Sequence, residues 1–242
     1  MNFKLETDGN VLIVYWDMPN RSVNVIDETV MTELDLIIDQ VISDPSIKGA
    51  VIASKKAGFS GGADLSILED SKNRYQQYIK DLGPDKAMEV FFEESRRLSV
   101  IYRRIEKCGK PFAAAIHGVC LGGAFELALA CHHRVMDASD HSQVGLPEVK
   151  VGIFPGAGGT QRVSRLMETD KALQFLLKGN SLNAVKALEA KLVDEICAEV
   201  SPVTLAKQWV EHVGDPVARW DKKEFKNPSG KVFSPKGMMV WP

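Results

Sequence analysis

Segments of strand character alternate with segments of helical character, and this alternation limits the fold more than any other feature of the sequence. Val11–Trp16 and Phe112–Ile116 are short, almost wholly apolar runs, which is typical of buried strands. Residues 27–43 and 85–107 instead place apolar side chains three and four positions apart, which predicts two amphipathic helices. Strands interleaved with helices are typical of an α/β fold, and we predict that class.

The same patterns predict further elements along the chain. We expect additional strands over residues 3–7, 49–53, 134–138 and 192–197. We expect additional helices over residues 124–131 and 201–213, one that begins at Gly158 or Thr160 and ends near Met167, and two more with Thr169-Asp170 and Ser181 as their N-caps. Composition changes after residue 214, where prolines and glycines become frequent and periodicity is lost. We therefore predict a domain over residues 1–214 and a linker or extended arm over residues 215–242.

Charge and composition exclude several classes of protein. The formal net charge is -2, which offers no overall basic surface for a nucleic acid. No apolar run reaches the roughly 18 residues that a membrane span requires. The first residues lack the apolar core of a signal peptide, so we expect a cytoplasmic protein. The four cysteines form no C-x-x-C pair, and the nearby histidines His132, His133 and His141 have no zinc spacing, so we expect no metal site.

Two carboxylates stand out chemically. Glu126 lies inside the apolar run 121–131, where an acidic side chain is costly to bury without partners. Glu148 follows a Gly-Leu-Pro sequence and precedes an apolar valine. A single glutamate is commonly solvated or caps a helix, but two in apolar surroundings are candidates for general acid/base work.

Two glycine-rich junctions could serve the same chemistry. Residues 61–63 and 122–123 each lie where a predicted strand gives way to a helix. Small residues allow a ligand to approach the backbone N–H groups, and two such donors can hold a developing oxyanion. Residues 58–62 also fit the G-x-S-x-G pattern of a serine hydrolase, with Ser60 as the nucleophile. That alternative needs a later histidine, and His212 is the only one after His141.

Three spaced motifs resemble the crotonase (enoyl-CoA hydratase/isomerase) superfamily. They are Ser60-Gly-Gly-Ala-Asp64, His117-Gly-Val-Cys-Leu-Gly-Gly-Ala-Phe-Glu126 and Leu146-Pro-Glu148, and the last is followed by Pro155-Gly-Ala-Gly-Gly-Thr-Gln-Arg162. The resemblance extends over about residues 1–210 and occurs in the same order. It implies a crotonase fold, which is a spiral of ββα units. Where many members have three glycines, this chain has Gly122-Gly123-Ala124.

The resemblance also implies a site. Glu126 and Glu148 match the two catalytic glutamates of the hydratases, and Ala63 and Gly123 match the two backbone donors of the oxyanion hole. No cofactor is required, because coenzyme A is part of the acyl-CoA substrate. The segments that match the coenzyme A and substrate contacts contain Val23, Val25, Phe59, Gly61, Asp64, Leu65 and Gly122.

The wording of the motifs is most similar to the hydratase half of the multifunctional fatty-acid oxidation enzymes. This similarity implies hydration of trans-2-enoyl-CoA in β-oxidation, with 3-enoyl-CoA isomerisation as a second reaction. It also implies a following dehydrogenase region, and either a homotrimer or a thiolase subunit as the partner. The alternative is an inactive, truncated module that binds acyl-CoA or serves assembly.

Overall fold

The computed structural model describes residues 1–64, 66–230 and 238. Within them the strands are β1 (Phe3–Asp8), β2 (Val11–Trp16), β3 (Gly49–Ser54), β4 (Phe112–Ile116), β5 (Val119–Leu121), β6 (His133–Asp137), β7 (Gln143–Gly145), β8 (Ser181–Asn183) and β9 (Glu195–Cys197). The α-helices are α1 (Glu28–Ser43), α2 (Ser66–Leu82), α3 (Pro84–Lys107), α4 (Gly123–Ala130), α5 (Gly159–Leu166), α6 (Thr169–Lys178), α7 (Ala184–Glu189) and α8 (Pro202–His212). Short 3-10 helices cover Glu148–Val151 and Arg219–Asp221.

The strands form two sheets. The larger has six strands in the order β1-β2-β3-β4-β6-β9. Only its edge pair β1–β2 is antiparallel, and the remaining pairs are parallel. The smaller sheet has the order β5-β7-β8. The α/β class is therefore confirmed.

Apolar side chains cover both faces of the large sheet. Along β2, Leu12 and Val14 belong to the main core, whereas Val11 and Ile13 belong to a second core on the opposite face. This division follows from the two-residue period of a strand. Helix α8 packs against β3, β4 and β6 and contributes to the second core. Strands covered on both faces are continuously apolar, as the sequence of β4 is.

The structure differs from the sequence predictions in three places. Helix α2 was not predicted, because its sequence is polar and its described side chains are exposed or half-buried. The prediction of Ser181 as a helix N-cap is wrong: Ser181 begins β8, and Asn183 caps α7 by accepting from the amide of Lys186. The strands β5 and β7 were also missed, because three residues are too few to show a period.

Residues 215–230 lie against the rest of the protein. Arg103 of α3 donates two hydrogen bonds to the carboxylate of Asp221, at 2.8 and 2.6 Å. Ser229 is buried, and its hydroxyl accepts from the amide of Thr169 at 2.6 Å. The boundary at residue 214 stays a prediction.

Candidate active site

Two glycine-containing loops approach each other closely at one end of the large sheet. The loop after β3 runs beside β5, since the amide of Ser60 donates to the carbonyl of Val119 at 3.0 Å. Gly62 has φ +101°, and a β-carbon there would lie 2.8 Å from the carbonyl oxygen of Leu121. Both the backbone conformation and the space therefore require glycine at this position.

The amides of Ala63 and Gly123 lie close together where these loops meet. Ile26 forms a parallel bridge with Ala63 through bonds to its neighbours: Ile26 N–H donates to Gly62 at 2.8 Å, and Asp64 N–H donates to Ile26 at 3.0 Å. In such a bridge the N–H of the middle residue, here Ala63, points away from the partner segment that contains Ile26. A β-carbon built on Gly123 would lie 3.9 Å from the nitrogen of Ala63.

Neither amide is used in a hydrogen bond among the described residues. Gly123 is the first residue of α4, so its N–H lies at the positive end of the helix dipole. Two adjacent donors of this kind can bind a carbonyl oxygen that gains negative charge. The structure thus brings together the two donors that the resemblance implied.

Glu126 is held by a second loop. Its side chain is 2% exposed. One carboxylate oxygen, Oε1, accepts the amides of Ala157 at 2.9 Å and Gly159 at 2.6 Å. On the preceding turn of α4, the carbonyl of Gly123 accepts the buried hydroxyl of Tyr102 at 2.8 Å. The carboxylate and the first turn of its helix are therefore both fixed.

Glu148 lies next to the backbone of Gly122. It is the first residue of a 3-10 helix and is buried. A β-carbon on Gly122 would lie 3.2 Å from its Oε1 atom, so the carboxylate lies against the glycine backbone. Its other oxygen, Oε2, is buried and has no hydrogen-bond partner among the described residues. A buried acceptor without a partner is rare, and it marks a place where a bound polar group would be stabilised.

Both carboxyls are harder to ionise than an ordinary glutamate. Burial, followed by the nearby charge of Glu148, raises the pKa of Glu126 from 4.5 to about 7, against the opposing amides of Gly159 and Ala157 and the charge of Arg162. Burial also raises the pKa of Glu148. Glu126 can therefore exchange a proton near neutral pH, as general acid/base catalysis requires.

Comparison with known proteins gives the family. A family model described as enoyl-CoA hydratase/isomerase matches residues 6–223. The chain belongs to this family. The prediction from the three motifs is confirmed, and the Glu126–Glu148 pair and the two amides lie inside the matched region.

Relatives and solved structures agree with this membership. A fatty acid oxidation complex subunit alpha from a Shewanella species (strain W3-18-1) is 37% identical over 190 residues, which cover 78% of this chain and 25% of the relative. The chain thus spans about a quarter of the length of the curated relatives it matches.

Two solved structures have a similar fold. Pseudomonas aeruginosa DspI has a TM-score of 0.73 and 26% identity, with 88% of this chain and 74% of that chain covered. An enoyl-CoA hydratase from Bacillus anthracis has a TM-score of 0.71 and 24% identity, with 88% and 76% covered. The crotonase fold is confirmed.

Val23 and Val25 lie on one loop beside Ala63, and Phe59, Gly61 and Asp64 lie on the loop that contains Ala63. Val23 is exposed, and a β-carbon on Gly61 would lie 3.5 Å from its Cγ1 atom. Asp64 pairs with Arg21 at 3.0 Å, and a hydrogen bond from the hydroxyl of Ser66 lowers the pKa of Asp64. The side chain of Val25 is half-buried.

Two of the predicted contact residues, Phe59 and Leu65, differ from the others. Phe59 is fully buried and packs edge-on against Trp16, with ring centroids 6.3 Å apart, so only its backbone can face a ligand. Leu65 lies outside the described residues.

Asn24 is a residue of this region that the sequence did not reveal. Its side chain is fully buried and donates to the carbonyls of Trp16 and Phe59 at 3.0 and 3.1 Å. Its side-chain oxygen accepts the amide of Met18 at 3.1 Å. Its backbone carbonyl accepts the amide of Gly61 at 3.0 Å. An asparagine in a loop is usually solvated, so only the structure shows that this one joins three segments.

The serine hydrolase alternative has no support in the geometry. Ser60 is buried, and its hydroxyl donates to the carbonyl of Asn24 at 2.8 Å. The only other described partner of this hydroxyl is the amide of Gly62 at 3.2 Å, and neither partner is a base. Ser60 therefore holds the loop that carries Ala63.

Among the described residues, no helix combines the length and the apolar composition needed to cross a membrane. The same residues contain no group of three or more His, Cys, Asp or Glu side chains that could hold a metal ion.

Proposed function

We propose that this chain hydrates trans-2-enoyl-CoA thioesters as a step of fatty-acid β-oxidation. The observation that carries the proposal is the pair of buried carboxyls Glu126 and Glu148, with a free buried oxygen on Glu148, beside the unused amides of Ala63 and Gly123. The family membership and the fatty acid oxidation relatives support the same reaction.

The thioester carbonyl binds the amides of Ala63 and Gly123. When water attacks C3, negative charge moves onto this oxygen, and the two N–H groups and the dipole of α4 stabilise the enolate. Each such donor typically contributes about a hundred- to a thousand-fold in rate.

The two glutamates handle the protons. We take the pair to carry one proton near neutral pH, because the pKa of Glu126 is raised to about 7 by burial and by the nearby charge of Glu148, so one carboxyl is ionised while the other is protonated. The ionised member takes a proton from the attacking water, and the protonated member delivers one to C2. One water is added, and the pair as a whole returns to its starting protonation.

The coenzyme A part of the substrate binds along the loops beside this site. We assign coenzyme A to the loops of Val23, Val25, Phe59, Gly61, Asp64, Leu65 and Gly122, and no further cofactor takes part. A cleft of about 370 Å³ beside Ala63 has an apolar wall of Ile26, Met31, Phe91 and Leu98, against which we place the acyl chain, and a polar wall that contains Glu28, Arg74, Glu94 and Arg97.

The relatives' name describes a subunit of a complex. We propose that the whole protein is such a subunit and that its partner is a thiolase subunit. Where no thiolase subunit is present, we propose that it forms a homotrimer. We also propose that it acts in the cytoplasm.

The test follows the loss of the conjugated-thioester absorbance when the protein is mixed with crotonyl-CoA. We expect rapid loss with the parent and a decrease of at least about a hundred-fold in Glu126→Gln and in Glu148→Gln. Glu93→Gln, an exposed change on α3, is the control and should match the parent. Full activity in both site variants would refute the mechanism. Binding of crotonyl-CoA without hydration by the parent would identify a binding module instead.

Isomerisation of 3-enoyl-CoA is a second candidate reaction at the same site. Its support is that Oε2 of Glu148 is buried and has no hydrogen-bond partner among the described residues, whereas Oε1 of Glu126 is held by two amides. The Glu148 carboxylate could then carry a proton from C2 to C4. If so, Glu148→Gln should abolish isomerisation while Glu126→Gln retains most of it, as measured by formation of the conjugated product.

A further inference from the structure

We propose that the buried ion pair of Glu106 and Arg162 is a positioning device that holds the amides of Ala157 and Gly159 on Glu126. The inference rests on the proposed function in taking Glu126 as a reacting carboxyl. Glu106 belongs to the last turn of α3 and Arg162 to the first half of α5. Neither side chain is hydrogen-bonded to Glu126 or Glu148 among the described residues, so both are positioning residues.

Arg162 holds the loop from the side opposite Glu126. Its Nη1 atom donates to the carbonyl oxygen of Ala157 at 2.7 Å. The amide of the same residue, Ala157, donates to Glu126 at 2.9 Å. The backbone of Ala157 therefore connects the guanidinium to the carboxylate.

Gly158 adapts the loop to this arrangement. It has φ +100°, and a β-carbon there would lie 2.5 Å from Nη1 of Arg162. The loop thus wraps closely around the guanidinium, which would have to move to admit a β-carbon, and the positive φ itself favours glycine. The next residue, Gly159, begins α5 and supplies the second amide to Glu126, at 2.6 Å.

Glu106 fixes the guanidinium from the other direction. Its side chain is 3% exposed, and its Oε1 atom accepts Nε of Arg162 at 2.6 Å. Its second oxygen accepts Nη1 of Arg103 at 2.5 Å, and Arg103 also binds Asp221. A planar guanidinium held through Nε and Nη1 has little freedom to rotate, which a lysine ammonium could not reproduce.

The groups that face Glu126 from its neighbouring elements define the electrostatic effect. Tyr102 of α3 and Cys120 of β5 stay neutral near pH 7, because burial raises both of their pKa values well above the ordinary range. The charged neighbours are then Glu148, which opposes ionisation of Glu126, and Arg162, which favours it. Loss of Arg162 removes a positive charge and loosens two amides, and both changes disfavour the carboxylate.

The test measures the protonation of Glu126 directly. Protein labelled with carboxyl ¹³C glutamate is titrated without substrate, and the Glu126 signal is identified by its absence in Glu126→Gln. We expect a midpoint near 7 in the parent. Because removal of an opposite charge shifts a pKa by about one unit or more, we expect a correspondingly higher midpoint in Arg162→Met. Arg162→Lys should show a smaller increase.

A double variant and a control keep the test decisive. Arg162→Met alone leaves buried Glu106 with Arg103 but without its buried partner, so Glu106→Gln/Arg162→Met removes both buried charges together and protects folding. Arg165→Met changes the same charge on the same helix, but Arg165 is half-buried and its described hydrogen bonds both go to Gln161. The control should leave the Glu126 midpoint where it is in the parent. A folded double variant with an unchanged midpoint would overturn the inference.

Kinetics separate this inference from the proposed function. In the crotonyl-CoA assay, the double variant should lose at least about tenfold in kcat with little change in KM, since misplacement of a reacting group affects the chemical step. A parent without hydratase activity would refute the proposed function, while the titration would still decide the role of Arg162. If the parent is active but the Glu126 midpoint is the same in the parent and in the folded double variant, the inference is refuted and the proposed function is not.

Discussion

The contrast between the two glutamates is set by a few atoms around each carboxylate. Oε1 of Glu126 accepts two backbone N–H groups, whereas Oε2 of Glu148 is buried and has no partner in the part of the chain that the structure describes. Burial is the largest cause of the raised pKa in both cases. A protein that buries two neighbouring acids loses stability when they ionise, so this arrangement is better explained by reactivity than by stability.

Glu126→Gln should alter how stability depends on pH. The folded pKa of about 7 lies above the ordinary value of 4.5, so the folded state retains a proton that the unfolded chain releases. Stability should therefore fall as pH rises between these two values, by about 3 kcal/mol in total. Glutamine cannot ionise, so the variant should lose that much less between pH 4.5 and pH 7. Urea unfolding across this range measures the difference, and parallel curves for parent and variant would contradict it.

Among the single helices and strands, the sequence predicted those in which a periodic apolar pattern coincides with buried side chains. Helix α1 has Val30, Leu34 and Ile38 buried on one face, and its bounds were predicted within one residue. Helix α2 is polar overall and has no buried residue among its described side chains, so its pattern resembled a polar loop. The three-residue strand β8 is defined by pairing with β7, which no local pattern records.

The same limit applied to the site. Glu126 could be predicted because an acid within an apolar helix is conspicuous by itself. Glu106 and Arg162 could not, because each lies in a mixed sequence and they meet only through the packing of α3, α4 and α5.

The N-cap of α1 matters beyond its own helix, because α1 begins next to Ile26, which bridges to Ala63. Asp27 accepts the amide of Val30 at 2.8 Å and the hydroxyl of Thr29 at 2.7 Å. Asp27→Ala should lower the free energy of unfolding by about 1 kcal/mol. Asp27→Ser retains a capping oxygen and should recover most of this loss. Chemical denaturation compares the three proteins, and equal stability of the alanine and serine variants would exclude a capping role.

At the scale of the whole molecule, the site is assembled from segments that are distant in sequence. The loop of Ala63 follows β3, Gly123 begins α4, and Glu148 begins a 3-10 helix beyond β7. The bridge between Ser60 and Cys120 connects the first loop to the small sheet. Only the complete fold brings the amides and the carboxyls together, so fragments of this domain should lack the site.

Asn24 tests this long-range dependence, because its buried side chain joins the ends of β2 and β3 to the loop that carries Ala63. Asn24→Ala would leave the carbonyls of Trp16 and Phe59 and the amide of Met18 without these partners. Since a buried polar group without a partner costs about 1 to 3 kcal/mol, we expect a loss of about 3 kcal/mol in the free energy of unfolding.

The oxyanion loop should also become mobile in Asn24→Ala, and exchange of the Gly61 and Gly62 amides with solvent should become faster, as hydrogen exchange would show. Ser22→Ala lies in the same loop at an exposed position and should change neither quantity. Faster exchange at these glycines in Asn24→Ala, with unchanged exchange in α8 on the opposite face of the sheet, would assign Asn24 to the loop. Uniformly faster exchange would instead mean that Asn24 supports the fold as a whole, because global unfolding exposes every amide alike.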